Sequence, residues 1–141
     1  MLTNITSSTP FLSVKDLRLT FPNGNGGLEA LGGVNLSLAR QEFVSVLGPS
    51  GSGKTTLLRA IAGLLRPTRG SITFSDGKPC LGMVFQQANL MPWRTAIENI
   101  TLPLELQGVP TEQACARAEE LIRLVGLEGF ESSWPRHLSG G

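Results

Sequence analysis

One glycine-rich stretch of eight residues predicts the fold: Gly48-Pro49-Ser50-Gly51-Ser52-Gly53-Lys54-Thr55. It matches the pattern GxxxxGK[ST] at every fixed position. Glycine and small polar residues let a backbone curl with its N–H groups facing inward, and such a concave ring of amides binds anions. The pattern predicts a loop for a polyphosphate, with the Lys54 ammonium directed at the outer phosphates and the Thr55 hydroxyl at Mg²⁺.

The residues on both sides of this loop strengthen the prediction. Residues 43–47 form a short apolar run, which is typical of a strand buried on both faces. Apolar residues then recur with helical spacing over 54–65, and Pro67 follows. A strand, a glycine loop and a helix stand in the required order, and the positive end of the helix favours bound phosphate. We therefore predict nucleotide binding, with Thr56 near the α-phosphate.

The rest of the chain predicts an antiparallel sheet followed by helical structure. Period-two alternation and short apolar runs predict strands at 17–21, 34–38, 71–74 and 81–85. Alternation in the first two indicates a sheet with one solvated face, which is usually antiparallel. A helix is predicted from Thr111, as its N-cap, to a stop at Gly126.

Composition excludes several classes of protein. The 141 residues are 40% apolar and 16% charged, which is typical of a globular domain and not of a disordered chain. A net charge of +1 with scattered basic residues argues against nucleic acid as a partner. Cys80 and Cys115 stand far apart and form no metal-binding pair. No apolar stretch approaches the length of a membrane span, and residues 1–10 lack the basic start and apolar core of a secretory signal, so we expect a cytoplasmic protein.

Hydrolysis requires a carboxylate for Mg²⁺, usually at the end of a buried strand, and the sequence offers none. The two aspartates, Asp16 and Asp76, lie in an alternating segment and in a turn. The predicted apolar strand 81–85 is followed by Gln86 and not by a carboxylate. From the residues alone, the phosphate loop is present and the metal carboxylate is missing.

The phosphate loop, Gln86 after an apolar run, and Leu138-Ser139-Gly140-Gly141 occur in an order that resembles the ATP-binding-cassette (ABC) ATPases over about residues 12–141. The resemblance implies an α/β fold: an incomplete P-loop NTPase (RecA-like) core with an N-terminal antiparallel β subdomain and part of a helical subdomain. Residues 1–141 would form one partial ATP-binding domain. The β subdomain and core would occupy about 12–85, and the Q-loop and the start of the helical subdomain about 86–141.

The resemblance also implies roles for individual residues, with ATP and Mg²⁺ as cofactors. The nucleotide would be bound by Gly48, Pro49, Ser50, Gly51, Ser52, Gly53, Lys54, Thr55 and Thr56. Lys54 and Gln86 would act in catalysis and Thr55 and Gln86 on the metal, with Gln87 as the competitor of Gln86. Phe21 would stack on adenine, the alternative being a core phenylalanine. Ser139, Gly140 and Gly141 would bind the γ-phosphate held by a second subunit.

The partners implied by the resemblance are a second cassette in a head-to-tail homodimer, a transmembrane permease and, indirectly, a periplasmic solute-binding protein. The chain would then lie on the cytoplasmic face of the inner membrane. Residues 89–99 are similar to importers of nitrate, sulfonate and taurine, and in related proteins this loop meets the permease. Trp93 would be either an interface anchor or a buried residue that packs the loop down.

The departures from the family pattern leave two other hypotheses open. The sequence stops before the strand that ends in Asp and Glu and before the switch histidine, and His137 is too early to be that switch. We expect these 141 residues to bind nucleotide with negligible turnover. The alternatives are a nucleotide-binding module without hydrolytic activity and an ABC ATPase outside transport.

Overall fold

The structure is a computed structural model, and it describes residues 9–24, 26–86 and 89–138. Its elements are β1 (Leu12–Phe21), β2 (Leu28–Leu38), α1 (Lys54–Ile61), β3 (Arg69–Phe74), α2 (Ala96–Leu106), α3 (Thr111–Leu124) and a short 3-10 helix, Pro135–His137. The chain divides into two compact units, Met1–Met83 and Val84–Gly141. The sheet and the glycine loop belong to the first unit, and α2 and α3 belong to the second.

The first unit is built on an antiparallel sheet in the order β2-β1-β3, which confirms the predicted antiparallel pairing. Leu12 of the central strand pairs with Leu38 on one side and Phe74 on the other. The register shifts between Val14 and Leu17, where Asp16 has a φ of 41°. Because of this shift, Val14 and Leu17 both face the core. The bulge therefore keeps four side chains of β1 buried although its sequence does not alternate strictly.

Helix α1 covers the buried face of this sheet. Its spacing places Leu57 and Ala60 on one side, and both are buried in the same cluster as Leu17, Leu19 and Leu31. The helix is shorter than predicted and ends at Ile61. Because α1 begins directly at Lys54, this packing fixes the position of the loop that precedes it.

Two predicted strands are wrong in this structure. Residues 43–47 and 81–85 form no strand, and Phe43 and Leu47 are both 91% exposed. A strand forms only where its N–H and C=O groups pair with a neighbour. Among the described residues neither segment has such a neighbour, so both run through solvent in spite of their apolar side chains.

The second unit is a pair of packed helices, one of which the sequence did not predict. Helix α2 begins with a capping box, in which Thr95 and Glu98 bond to each other's backbone N–H groups, and continues through Pro103. The pattern Thr-x-x-Glu at 95–98 is a recognised signal for the start of a helix. Pro103 argued against a helix here, because proline is unfavourable in a helix interior. Helix α3 buries Ala114, Ala118 and Ile122 on one face.

The ends of α3 differ slightly from the prediction. Thr111 is its first residue and Pro110 is the N-cap, so the predicted cap is wrong by one position. Gly126 follows the helix with a φ of 71°, which confirms the predicted stop. No helix in the described part of the chain is both long and apolar enough to cross a membrane.

Candidate functional site

The glycine loop ends in a helix whose first amides are left without partners inside the helix. The first intrahelical bond at this end runs from Leu57 N to Gly53 O, at 2.8 Å. The amides of residues 54–56 precede that bond and therefore have no acceptor in the helix. Among the described residues no side chain caps this end, and its first turn carries no acidic residue. Donors and the positive end of the helix dipole are thus both available to an anion.

Gly53 anchors the loop against strand β2. Its φ of 86° lies in the left-handed region, and a Cβ atom there would stand 2.5 Å from the carbonyl oxygen of Ala30 and 2.9 Å from Leu31 Cδ2. Only a residue without a side chain fits such a close approach. The last glycine of the motif is therefore required by the contact with β2 as well as by the curl of the loop.

Lys54 holds the loop in its curled form. Its ammonium donates to the carbonyl oxygens of Gly48 and Pro49 at 2.8 and 2.6 Å, and to Ser52 Oγ at 3.2 Å. Within the described residues no carboxylate pairs with it. Its charge is therefore balanced only by neutral oxygens, which a phosphate oxygen can replace with a stronger, charge-assisted bond.

The loop opens onto a cleft of about 420 Å³. The cleft is lined by Phe21, Leu28, Ala30 and residues 50–56. Phe21 is the last residue of β1, pairs with Leu28 and is 37% exposed, so its ring lies at the surface and not in the core cluster. The structure therefore brings Phe21 and the glycine loop together. One part of the lining is apolar and the other carries amides, hydroxyls and an ammonium, which fits a ring joined to a phosphate chain.

Leu28 and Ala30 are site residues that the sequence did not predict. They stand two positions apart in β2, so they share one face of the strand. The period-two pattern of a strand could have placed both residues on one face, but no signal in the sequence places that face beside the glycine loop. Only the contact of Gly53 with Ala30 does so.

A larger groove of about 870 Å³ lies elsewhere in the first unit, between α1 and β3, with Arg66 and Lys78 in its lining. It contains no part of the loop 48–53. We place the candidate site in the smaller cleft, because donors from one helix end and one lysine converge there.

For a divalent cation, the cleft offers hydroxyl oxygens. Thr55 is exposed at the start of α1, where its hydroxyl can serve as a ligand. Within the described residues the cleft lining contains no carboxylate, and no group of three or more His, Cys, Asp or Glu could hold a metal. Mg²⁺ commonly takes one or two carboxylates together with substrate phosphates. The Thr55 hydroxyl would therefore serve as a ligand only alongside the phosphates of a bound nucleotide.

The other predicted site residues come later in the chain, in the second unit or outside the described residues. Gln86 belongs to the second unit and is exposed. Gln87, Ser139, Gly140 and Gly141 lie outside the described residues. His137 lies in the 3-10 helix, is exposed, and accepts a hydrogen bond from Arg136 Nε at 3.2 Å.

Three carboxylates of the second unit accept hydrogen bonds, two of them in α2 and one after α3. Bonds from the Thr95 backbone and side chain hold the pKa of Glu98 below its usual range. Bonds from Thr101 and Arg94 likewise lower the pKa of Glu105. The backbone N–H groups of Glu131 itself and of Gly129 lower the pKa of Glu131. These carboxylates are thus bound in their charged form.

Comparison with known proteins agrees with this geometry. The family model described as ABC transporter matches residues 31–141. An uncharacterized ABC transporter ATP-binding protein of Methanocaldococcus jannaschii is 47% identical over 136 residues, which cover 92% of this chain and 51% of that protein. A methionine import ATP-binding protein of Shouchella clausii is 41% identical over 144 residues, covering 92% of this chain and 42% of its own length.

A solved structure shares the fold as well as the sequence pattern. It is a dimeric ATP-binding cassette in a post-hydrolysis state bound to ADP and Pi, with a TM-score of 0.79 and 35% identity, covering 92% of this chain and 63% of that one. The chain spans about half the length of the two curated relatives. It belongs to the ABC transporter family, with the P-loop NTPase fold of the ATP-binding cassettes.

Proposed function

We propose that this chain binds Mg-ATP in the cleft between Phe21 and the loop 48–55, as the ATP-binding part of an ABC importer. One observation carries the proposal: the Lys54 ammonium, the first amides of α1, which have no acceptor inside the helix, and the exposed Phe21 ring all belong to one cleft. A ring-binding surface and an anion-binding surface on the same cleft match the two halves of a nucleoside triphosphate.

Each part of the cleft has a distinct role in this proposal. The backbone N–H groups of residues 50–56 hold the phosphates, and Lys54 exchanges the carbonyls of Gly48 and Pro49 for phosphate oxygens. The Thr55 hydroxyl ligates Mg²⁺, which neutralises charge on the phosphates, and Thr56 lies near the α-phosphate. Phe21 stacks on adenine, with Leu28 and Ala30 beside it in the lining.

The complete protein would hydrolyse ATP with further groups. Gln86 would contact the metal and orient the attacking water, and Ser139, Gly140 and Gly141 would bind the γ-phosphate held by a second cassette. In this proposal residues 12–85 are the β subdomain and core, and residues 86–141 are the Q-loop and the beginning of the helical subdomain. A solved relative described as a dimeric cassette supports the pairing of two cassettes, and we propose that they pair head to tail.

Import through a permease is the proposed use of this ATP. A relative named for methionine import supports a transporter of this direction. We infer a permease partner, a periplasmic binding protein upstream of it, and a location on the cytoplasmic face of the membrane. For the solute, residues 89–99 favour a nitrate-, sulfonate- or taurine-like anion, while the Shouchella clausii relative favours methionine.

Calorimetric titration with Mg-ATP tests the proposed binding. Replacing Lys54 by alanine removes a charge-assisted contact worth about 1.5–3 kcal/mol, so we expect about 10- to 140-fold weaker binding. Lys15→Ala, which removes an exposed lysine of β1 outside the cleft lining, is the matched control and is expected to bind normally. Absence of uptake by folded protein, or equal affinity in both variants, would refute the proposal.

A further inference from the structure

We propose that Asn99 is a positioning residue that clamps the loop formed by residues 91–95, hereafter the Trp93 loop, onto α2 and thereby fixes how Trp93 is presented to a partner. The identity of that partner, the membrane subunit of a transporter, rests on the function proposed above. The clamp itself rests on contacts within the second unit.

Asn99 bonds to the loop at several points with one short side chain. Its Oδ1 accepts from the Met91 N–H at 2.7 Å, and its amide nitrogen lies 3.2 Å from the Met91 carbonyl oxygen. The same nitrogen donates toward the carbonyl oxygens of Arg94 and Thr95 at 3.0 and 2.9 Å. Donor and acceptor groups of the amide are therefore both engaged, and they join the two ends of the loop.

A second set of bonds holds the loop from further along α2. Arg94 Nη1 donates to the carbonyl oxygen of Glu98 at 3.0 Å and to Glu105 Oε2 at 2.9 Å. The other carboxylate oxygen of Glu105 accepts from the hydroxyl of Thr101, which is buried, at 2.7 Å. Thr101 thus orients the Glu105 carboxylate for its bond with Arg94. This network fixes the loop backbone at Arg94, next to Trp93.

Trp93 itself takes no part in these bonds. Trp93 is 69% exposed, while Arg94 and Thr95, which follow it, are half-buried. A large apolar side chain in solvent on a pinned backbone loses little conformational entropy when a partner covers it. That combination is typical of an anchor residue at an interface and is unlike a tryptophan that packs its own loop down.

Fluorescence anisotropy of Trp93 measures the clamp directly. Trp134, the other tryptophan, is first replaced by phenylalanine so that all emission comes from Trp93. In this background Asn99→Ala should about double the amplitude of the nanosecond loop motion seen in the anisotropy decay. The matched control is Gln113→Ala, which removes an exposed amide of α3 that makes no side-chain hydrogen bond in the described part of the chain.

Asn99→Asp supplies a signature that a merely structural side chain would not give. Its carboxylate can still accept from Met91, but when ionised it faces the three carbonyl oxygens without a proton to donate. When protonated it can donate to one of them. We expect a loosened Trp93 loop at neutral pH and a restored one in acid. Arg94, Glu98 and Glu105 are the charged neighbours in this network, so the parent with Asn99 is measured over the same pH range as a baseline.

The outcomes separate the clamp from the proposed function. Unchanged anisotropy in folded Asn99→Ala, or an Asn99→Asp signal that follows the parent at every pH, overturns the clamp. If Asn99→Ala does not fold, the Asn99→Asp series decides alone. Mg-ATP titration of the same parent tests the cleft, so a failed titration with a positive anisotropy result refutes the nucleotide site and leaves the clamp standing.

Discussion

The Nζ atom of Lys54 lies 2.6 Å from the carbonyl oxygen of Pro49, inside the loop that both residues belong to. The ammonium is therefore already held inside the loop before an anion binds. A triphosphate that enters the cleft meets a preformed loop, in which the ammonium exchanges the loop carbonyl oxygens for phosphate oxygens. Preorganisation of this kind lowers the entropic cost of binding.

Gly53 and Gly51 form a matched pair for testing this preorganisation. Gly51→Ala introduces only a left-handed alanine, since φ is 80° and, apart from the adjacent residues, no described atom lies within 4 Å of the new Cβ. It should destabilise the fold by about 1–2 kcal/mol. Gly53→Ala adds a collision with Ala30 O, so its loss should be larger by about 1–3 kcal/mol. Urea unfolding measures both. Equal losses would contradict the close approach to β2.

Phe21 should contribute to binding the base and not the phosphates. Phe21→Ala is expected to weaken ATP binding by about 1–3 kcal/mol, the usual range for loss of one aromatic–base stack, and to leave the affinity for inorganic triphosphate unchanged. Phe43→Ala removes a phenylalanine that is 91% exposed and lies outside the cleft lining, and it serves as the control. An equal loss for both ligands would assign Phe21 a structural role.

The 141-residue chain should bind ATP without turning it over at a normal rate for the family. Over the described residues, its cleft lining has hydroxyls and an ammonium but no carboxylate to hold Mg²⁺ through the reaction. A steady-state phosphate-release assay checks this. Rapid turnover that depends on Lys54 would show that the carboxylate argument is wrong.

The second unit should lose stability in acid. Hydrogen bonds lower the pKa of Glu98, Glu105 and Glu131 in the folded chain below their ordinary value of about 4.5. Their stabilisation is therefore complete at neutral pH, begins to fall as the pH drops through that ordinary value, and is gone below the lowered values. Both tryptophans belong to this unit, so their fluorescence during urea unfolding reports it.

Neutralising one of these carboxylates should flatten that pH dependence. Glu98→Gln is expected to lower stability at pH 7 and to bring the curves at pH 7 and pH 3 closer together. Glu119→Gln changes an exposed glutamate of α3 that accepts no side-chain hydrogen bond among the described residues, so it should leave the gap unchanged. A wild-type chain with equal stability at both pH values would contradict the assignment.

The sequence by itself determined the features that depend on local backbone chemistry. Glycine and lysine spacing over 48–55 predicted the loop, and the structure shows it at the start of α1 as expected. Alternation predicted the antiparallel pair β1 and β2, because period two can bury one face of a sheet. Gly126 predicted the end of α3, because a left-handed residue there requires no neighbour from elsewhere in the chain.

Only the tertiary structure decided the features that depend on distant partners. Residues 43–47 have the composition of a buried strand, yet a strand forms through pairing, and no described neighbour pairs with them. Helix α2 continues through Pro103 because its capped start and its packing against α3 outweigh one lost backbone bond. Leu28 and Ala30 line the cleft because Gly53 contacts β2 at Ala30, more than twenty positions earlier in the chain. Local patterns set what each segment can become, while the free energy of long-range packing and pairing selects what it does become.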